Sequence, residues 1–155
     1  MKPETTAIHA LNLVKSATGD VTMPISLSTT FLRGEDGGYP GGHMYSRVSN
    51  PNRSSLEKVI SELEFGEDTC AFSSGNTAGM SIFQALKSGS HIICPDDMYW
   101  GLKKQLLTIF NETLTFDFVD LTAIDQVASF INPKTVMIWA ETPSNPLLKH
   151  NCVLL

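Results

Sequence analysis

Apolar residues first fall into a helical rhythm at Leu56, Val59, Ile60 and Leu63, which are spaced i, i+3, i+4 and i+7 and share one helix face. Asn50-Pro51 is a start signal for that helix and Gly66 a stop signal. Beyond it, strand and helix patterns alternate. Residues 69–72 read as a strand, 77–86 as a helix and Lys87-Ser88-Gly89-Ser90 as a turn. Residues 91–94 read as a buried strand. Residues 101–110 read as a helix with Leu102, Leu106, Leu107 and Phe110 on its apolar side. A strand pattern over 115–119, a helical one over 123–131 and a strand over 135–140 complete the series. Strands separated by helical stretches predict βαβ units, a mostly parallel sheet flanked by helices, and so an α/β fold. Residues 1–53 show no such period. They carry Gly34, Gly37, Gly38, Gly41 and Gly42 with Pro24, Pro40 and Pro51, and read as an extended arm that lies over something else.

In a parallel sheet, ligands bind at the carboxyl ends of the strands. Three polar clusters fall there: residues 73–76, 95–99 and 141–145. The first, Ser73-Ser74-Gly75-Asn76, leads from an apolar strand into a helix. Small residues let backbone approach an anion, and the amides at a helix start point at it. The same turn also suits plain packing. It is neither a P-loop nor a G-x-G-x-x-G turn, which weakens nucleotide readings.

Each remaining cluster has two readings. Tyr45-Ser46-Arg47 offers a planar guanidinium and a phenol suited to phosphate, or a surface arginine beside a packing tyrosine. Asp96-Asp97 reads as a cap for the following helix rather than a metal site. Tyr99 stacks on a flat ring or fills core. In Glu141-Thr142-Pro143-Ser144-Asn145-Pro146 two prolines stiffen the loop, and Asn145 serves a ligand oxygen or a turn.

Composition narrows the classes. The 155 residues are 42% hydrophobic and 17% charged with a net charge of -5, enough for one core and unlike a nucleic-acid binder. No apolar run spans a membrane and the N-terminus is no signal peptide. Cys70, Cys94 and Cys152 lack metal spacing, and the first two sit in apolar strand-like runs. All three read as reduced thiols in a cytoplasmic protein. Cys152-Val153-Leu154-Leu155 fits a C-a-a-X box, but with no basic stretch beside it we read it as coincidence.

Taken in order, Tyr45-Ser46-Arg47, Asn50-Pro51-Asn52-Arg53, Phe72-Ser73-Ser74-Gly75, Asp96-Asp97-Met98-Tyr99 and Glu141-Thr142-Pro143-Ser144-Asn145-Pro146 resemble the Cys/Met-metabolism, or trans-sulfuration, family of pyridoxal-phosphate enzymes. The likeness runs from about His9 to Lys149 and covers the first part of such an enzyme. It implies the N-terminal part of a fold-type I transferase: an arm over 1–53 making contacts between subunits, the first half of a cofactor-binding domain over 54–149, and a divergent tail over 150–155.

The resemblance also implies roles. Gly75 and Asn76 would offer amides to the phosphate of pyridoxal 5'-phosphate, Tyr99 would stack on its ring, Asn145 would touch its phenolic oxygen, and Glu141 would order that loop. Tyr45 and Arg47 would reach the phosphate held by a neighbouring subunit of a homo-oligomer, a dimer of dimers. The substrate would be cystathionine, an O-acylated homoserine or a related sulfur amino acid, undergoing γ- or β-elimination or replacement. No nucleic acid, membrane or metal is implied.

The family's Schiff-base lysine, its pyridinium-binding aspartate and its carboxylate-binding arginine have no counterpart here. Lys58, Lys87, Lys103, Lys104, Lys134 and Lys149 lack the family's context and none is assigned as catalytic. The residues after Lys149 depart from the family, which implies a chain cut short or shifted in frame, inactive alone and prone to associate. A fragment that joins full-length subunits and one half of a split enzyme are the alternatives.

Overall fold

The computed structural model describes residues 2–9, 19–20 and 22–150, and the C-terminal tail with Cys152 lies outside them. The chain forms two compact units, Met1–Ala71 and Phe72–Leu155.

The first unit holds α1 (Pro3–His9) and α2 (Pro51–Leu63). The Asn50 side chain accepts the Asn52 N–H at 2.9 Å and Pro51 opens the helix, as the Asn-Pro pair predicts. The stop differs from expectation. Phe65, not Gly66, takes the left-handed conformation (φ 55°). Between the helices the arm folds back on itself. Thr30 and Tyr45 form an antiparallel bridge, and Ser46 N–H donates to Thr29 O at 2.8 Å. Asn52 fastens the arm to α2: its side chain accepts Ser26 N–H at 2.8 Å and donates to Pro24 O at 2.9 Å. Ile25, Leu27, Leu32 and Val48 stay exposed, so the arm has no core of its own.

Residues 69–72 form no strand, contrary to the alternation. A strand needs ladder partners, and here Ala71 N–H goes to the Glu57 carboxylate at 3.0 Å and Thr69 N–H to Asp68 Oδ1 at 2.8 Å. Cys70 is therefore exposed, not buried.

The second unit contains α3 (Gly75–Gln84), β1 (His91–Pro95), α4 (Trp100–Ile109), β2 (Thr115–Val119), α5 (Ile124–Val127) and β3 (Thr135–Ile138). The helical pattern over 123–131 is realised as the short α5 followed by a 3-10 turn, Ala128–Phe130. The three strands are parallel in the order β2-β1-β3. Central β1 is buried at every position, as a near-continuous apolar run between two parallel neighbours must be.

Strand alternation sorts its residues onto two faces. Ile92 and Cys94 pack with Phe83, Met98, Leu102, Leu106, Phe110 and Leu114, largely from α3 and α4. Ile93 packs with Val119, Leu121 and Val127 on the α5 side. At the amino ends of the strands a polar knot replaces apolar packing. Buried His91 lies 3.1 Å (Nε2) from Asp117 Oδ2, and its Nδ1 lies 2.7 Å from Thr135 Oγ1 and 3.0 Å from Asn132 Nδ2. The β1–β3 register shifts between His91 and Ile92, immediately above that knot. No helix of the described residues is long and apolar enough to cross a membrane.

Candidate functional site

Helix α3 starts two residues earlier than its apolar pattern predicts because Ser74 caps it. Its hydroxyl accepts the Thr77 N–H at 3.1 Å, and its carbonyl accepts the Ala78 N–H at 3.1 Å. The Gly75 and Asn76 amides have no intrahelical acceptor at this position. Both residues line an open pocket of ≈ 550 Å³ with Ser74, Tyr99, Leu102, Trp139 and Glu141. A methyl group on Gly75 would meet nothing within 4 Å, so its backbone borders open space, as a close approach to a ligand requires.

Tyr99 stands where β1 gives way to α4. Its carbonyl accepts the Leu102 and Lys103 amides, each at 3.1 Å, and its N–H donates to Glu141 Oε2 at 2.9 Å. The other carboxylate oxygen, Oε1, accepts the Trp139 indole N–H at 3.0 Å. Glu141 thus joins the loop after β1 to the segment after β3. The Tyr99 side chain remains half in solvent, a phenol ring forming one wall of the pocket. Cys94 lies beneath, fully buried. Burial, and then the nearby Glu141 carboxylate, push its thiol up to about 12 against an opposing effect of Lys103, so it is protonated and inert.

A second network runs along the rim. The Ser144 hydroxyl, fully buried, donates to Asp97 Oδ2 at 2.5 Å and accepts the Lys149 N–H at 3.0 Å. The Lys149 ammonium sits 3.4 Å from Asp96, 3.6 Å from Asp120 and 4.0 Å from Asp97. Desolvation works against that charge, but Asp96, Asp120 and Asp97 together hold its pKa above the ordinary value. The side-chain and backbone hydrogen bonds of Thr122, joined by Lys149, hold the Asp120 carboxyl below its own. Contrary to the sequence expectation, Asp96 and Asp97 therefore do not cap α4. The helix begins only at Trp100, and their carboxylates are taken by Ser144 and Lys149.

Of the residues singled out in the sequence, Gly75, Asn76, Tyr99 and Glu141 come together at the pocket. Asn145 lies in the neighbouring turn, exposed, between two cis prolyl bonds at Thr142-Pro143 and Asn145-Pro146, and is not part of the lining. Tyr45 and Arg47 belong to the other unit, where the exposed Arg47 guanidinium lies over the Tyr45 ring at 5.1 Å. Sequence reasoning missed Trp139 and Leu102 as lining residues. Trp139 sits two residues before Glu141 on the strand pattern, and that spacing, which puts two strand residues on one side, was the available signal. No group of three or more potential metal ligands occurs among the described residues.

The profile of the family described as Cys/Met metabolism PLP-dependent enzyme matches residues 4–153. Cystathionine gamma-lyase of Dictyostelium discoideum is 40% identical over 146 residues, 94% of this chain and 38% of the relative. Cystathionine gamma-synthase of Mycobacterium tuberculosis is 40% identical over 148 residues, again 94% of this chain and 38% of the relative. Among solved structures, metB from Corynebacterium glutamicum superposes with a TM-score of 0.92 at 33% identity, covering 97% of this chain and 40% of that one. The chain thus spans about two fifths of the length of these relatives.

Proposed function

Because this chain belongs to the Cys/Met metabolism family of PLP-dependent enzymes, we propose that the pocket at the head of α3 is the phosphate-and-ring half of a pyridoxal 5'-phosphate site. We propose further that the protein serves γ- or β-elimination or replacement on a sulfur amino acid, cystathionine or an O-acylhomoserine. One observation carries the reading: Gly75 and Asn76, whose amides lie at the open head of α3, a phenol ring at Tyr99 and an indole at Trp139 line a single pocket. An anion needs the first and a flat heteroaromatic the others.

When bound, the cofactor supplies an electron sink for bond breaking beside the amino carbon. The chain's own residues bind and orient. The Gly75 and Asn76 amides and the positive end of α3 would hold the phosphate dianion, with no counter-charge from a side chain lining the same pocket. Tyr99 covers one face of the ring, and Leu102 and Trp139 keep water from the inner wall. Asn145, on the turn that follows Glu141, would serve the phenolic oxygen. Tyr45 and Arg47 would serve the phosphate of a second subunit, a role that suits an exposed guanidinium beside a half-buried phenol. No pocket-lining residue is a lysine, so this set of residues holds the cofactor without a covalent bond.

Pyridoxine 5'-phosphate tests the site because it lacks the aldehyde and cannot label lysines. We expect saturable binding in equilibrium dialysis, and a loss of affinity of about tenfold or more in Tyr99→Leu, in line with the removal of an aromatic stacking partner. No binding by the parent chain, or equal binding by Tyr99→Leu, overturns the assignment.

A further inference from the structure

Tyr99 occupies the pocket wall with half its surface in water, yet little in its own side-chain packing fixes the ring. What fixes it lies elsewhere. Its N–H is held by Glu141 Oε2 at 2.9 Å, and Glu141 Oε1 is in turn held by the Trp139 indole N–H at 3.0 Å. The Trp139 ring leans on Phe83, 5.1 Å between centroids, and Phe83 is the most buried aromatic of α3. A line of contact therefore runs from the apolar core through Trp139 and Glu141 to the Tyr99 backbone. The ring itself lies across Gly101. A methyl group there would come 2.5 Å from Tyr99 Cε1 and 2.8 Å from Cζ and the phenol oxygen, closer than any real contact allows.

We propose that Trp139 and Gly101 are positioning residues for the cofactor ring: Trp139, acting through the Glu141 carboxylate, sets the height of Tyr99, and the bare Cα of Gly101 gives its ring a seat. The inference rests on the pocket being a pyridoxal-phosphate site. A carboxylate between two N–H donors is a directional bracket, since each oxygen is committed and the two donors come from different segments. Replacing Trp139 by phenylalanine keeps an aromatic ring near Phe83 but deletes the N–H and part of the indole's area, so Glu141 loses the donor that holds Oε1 while Oε2 still accepts from Tyr99. Replacing Gly101 by alanine leaves the bracket and tilts the ring. Gly101→Ala acts on the ligand through Tyr99, whereas Trp139 also lines the pocket, so the direct share of Trp139→Phe is the loss that persists once the phenol is gone.

That dependence is measurable as a double-mutant cycle in the 155-residue chain, with pyridoxine 5'-phosphate as the probe in equilibrium dialysis. We expect Gly101→Ala to weaken binding about tenfold in the parent background and less than about twofold in Tyr99→Leu, and Trp139→Phe to weaken it at least about threefold more in the parent than in Tyr99→Leu, where no phenol remains to be positioned. A purely structural role lowers affinity by the same factor in both backgrounds, and that result overturns the proposal. So does unchanged affinity in both single variants. If Trp139→Phe fails to fold by far-ultraviolet circular dichroism, Gly101→Ala alone decides, since Gly101 is only partly buried and belongs to neither core cluster. Failure of the parent chain to bind removes the pocket reading and this proposal together. Binding by the parent with additive losses removes this proposal alone.

Discussion

At the scale of single residues, burial decides which groups are chemically quiet. The Cys94 thiol, raised from 9.0 to about 12, gives stability a pH dependence of definite sign. Above about pH 9 the unfolded thiol ionises while the folded one keeps its proton, so the unfolded state binds fewer protons and stability falls as pH rises toward about 12. We expect urea midpoints to fall between about pH 8 and about pH 10.5 by a larger amount in the parent than in Cys94→Ala. Matching slopes would contradict the burial argument. Tyr99 is the opposite case. It is half exposed because its ring has a surface to offer, and its place depends on Glu141 and Gly101 rather than on cover.

At the scale of elements, α3 carries the site and two residues carry α3. Ser74→Ala removes the cap and should lower stability by about 1 kcal/mol, while Ser74→Gly loses only a few tenths. Phe83, packed against Phe110, Phe116 and Trp139, joins α3 to the sheet. Phe83→Ala should cost about 3–5 kcal/mol, read from denaturant midpoints at constant slope. These two sites also show what the sequence could and could not tell. The periods at β1, β2 and α4 were legible because burial on one or both faces enforces them. Residues 69–72 have a strand's composition but no strand, because composition does not supply a ladder partner. The early start of α3 was hidden for a similar reason: a serine cap leaves no mark on an apolar period. The pocket was legible as three rim clusters. Trp139 was marked only by its spacing two residues before Glu141, because its hydrogen bond to that carboxylate lies just beyond the end of β3 and leaves no mark on the apolar period.

At the scale of the whole molecule, the rim and the arm have different needs. Lys149 draws Asp96, Asp97 and Asp120 together from the segments that follow β1 and β2, so the carboxyl edge of the sheet is held by one cation. The arm carries Ile25, Leu27, Leu32 and Val48 uncovered, with Leu27 89% exposed. Apolar surface of that kind drives association. We expect sedimentation velocity to show concentration-dependent oligomers of the chain, and Leu27→Lys with Leu32→Lys to shift them toward monomer; no change on substitution would place the contact elsewhere. The His91 knot has a quieter consequence. Because Asp117, Thr135 and Asn132 clasp one imidazole at the foot of the sheet, strand alignment is keyed at the amino ends, away from the pocket. Loops at the opposite margin are then free to change shape, and so specificity, without the strands sliding out of step.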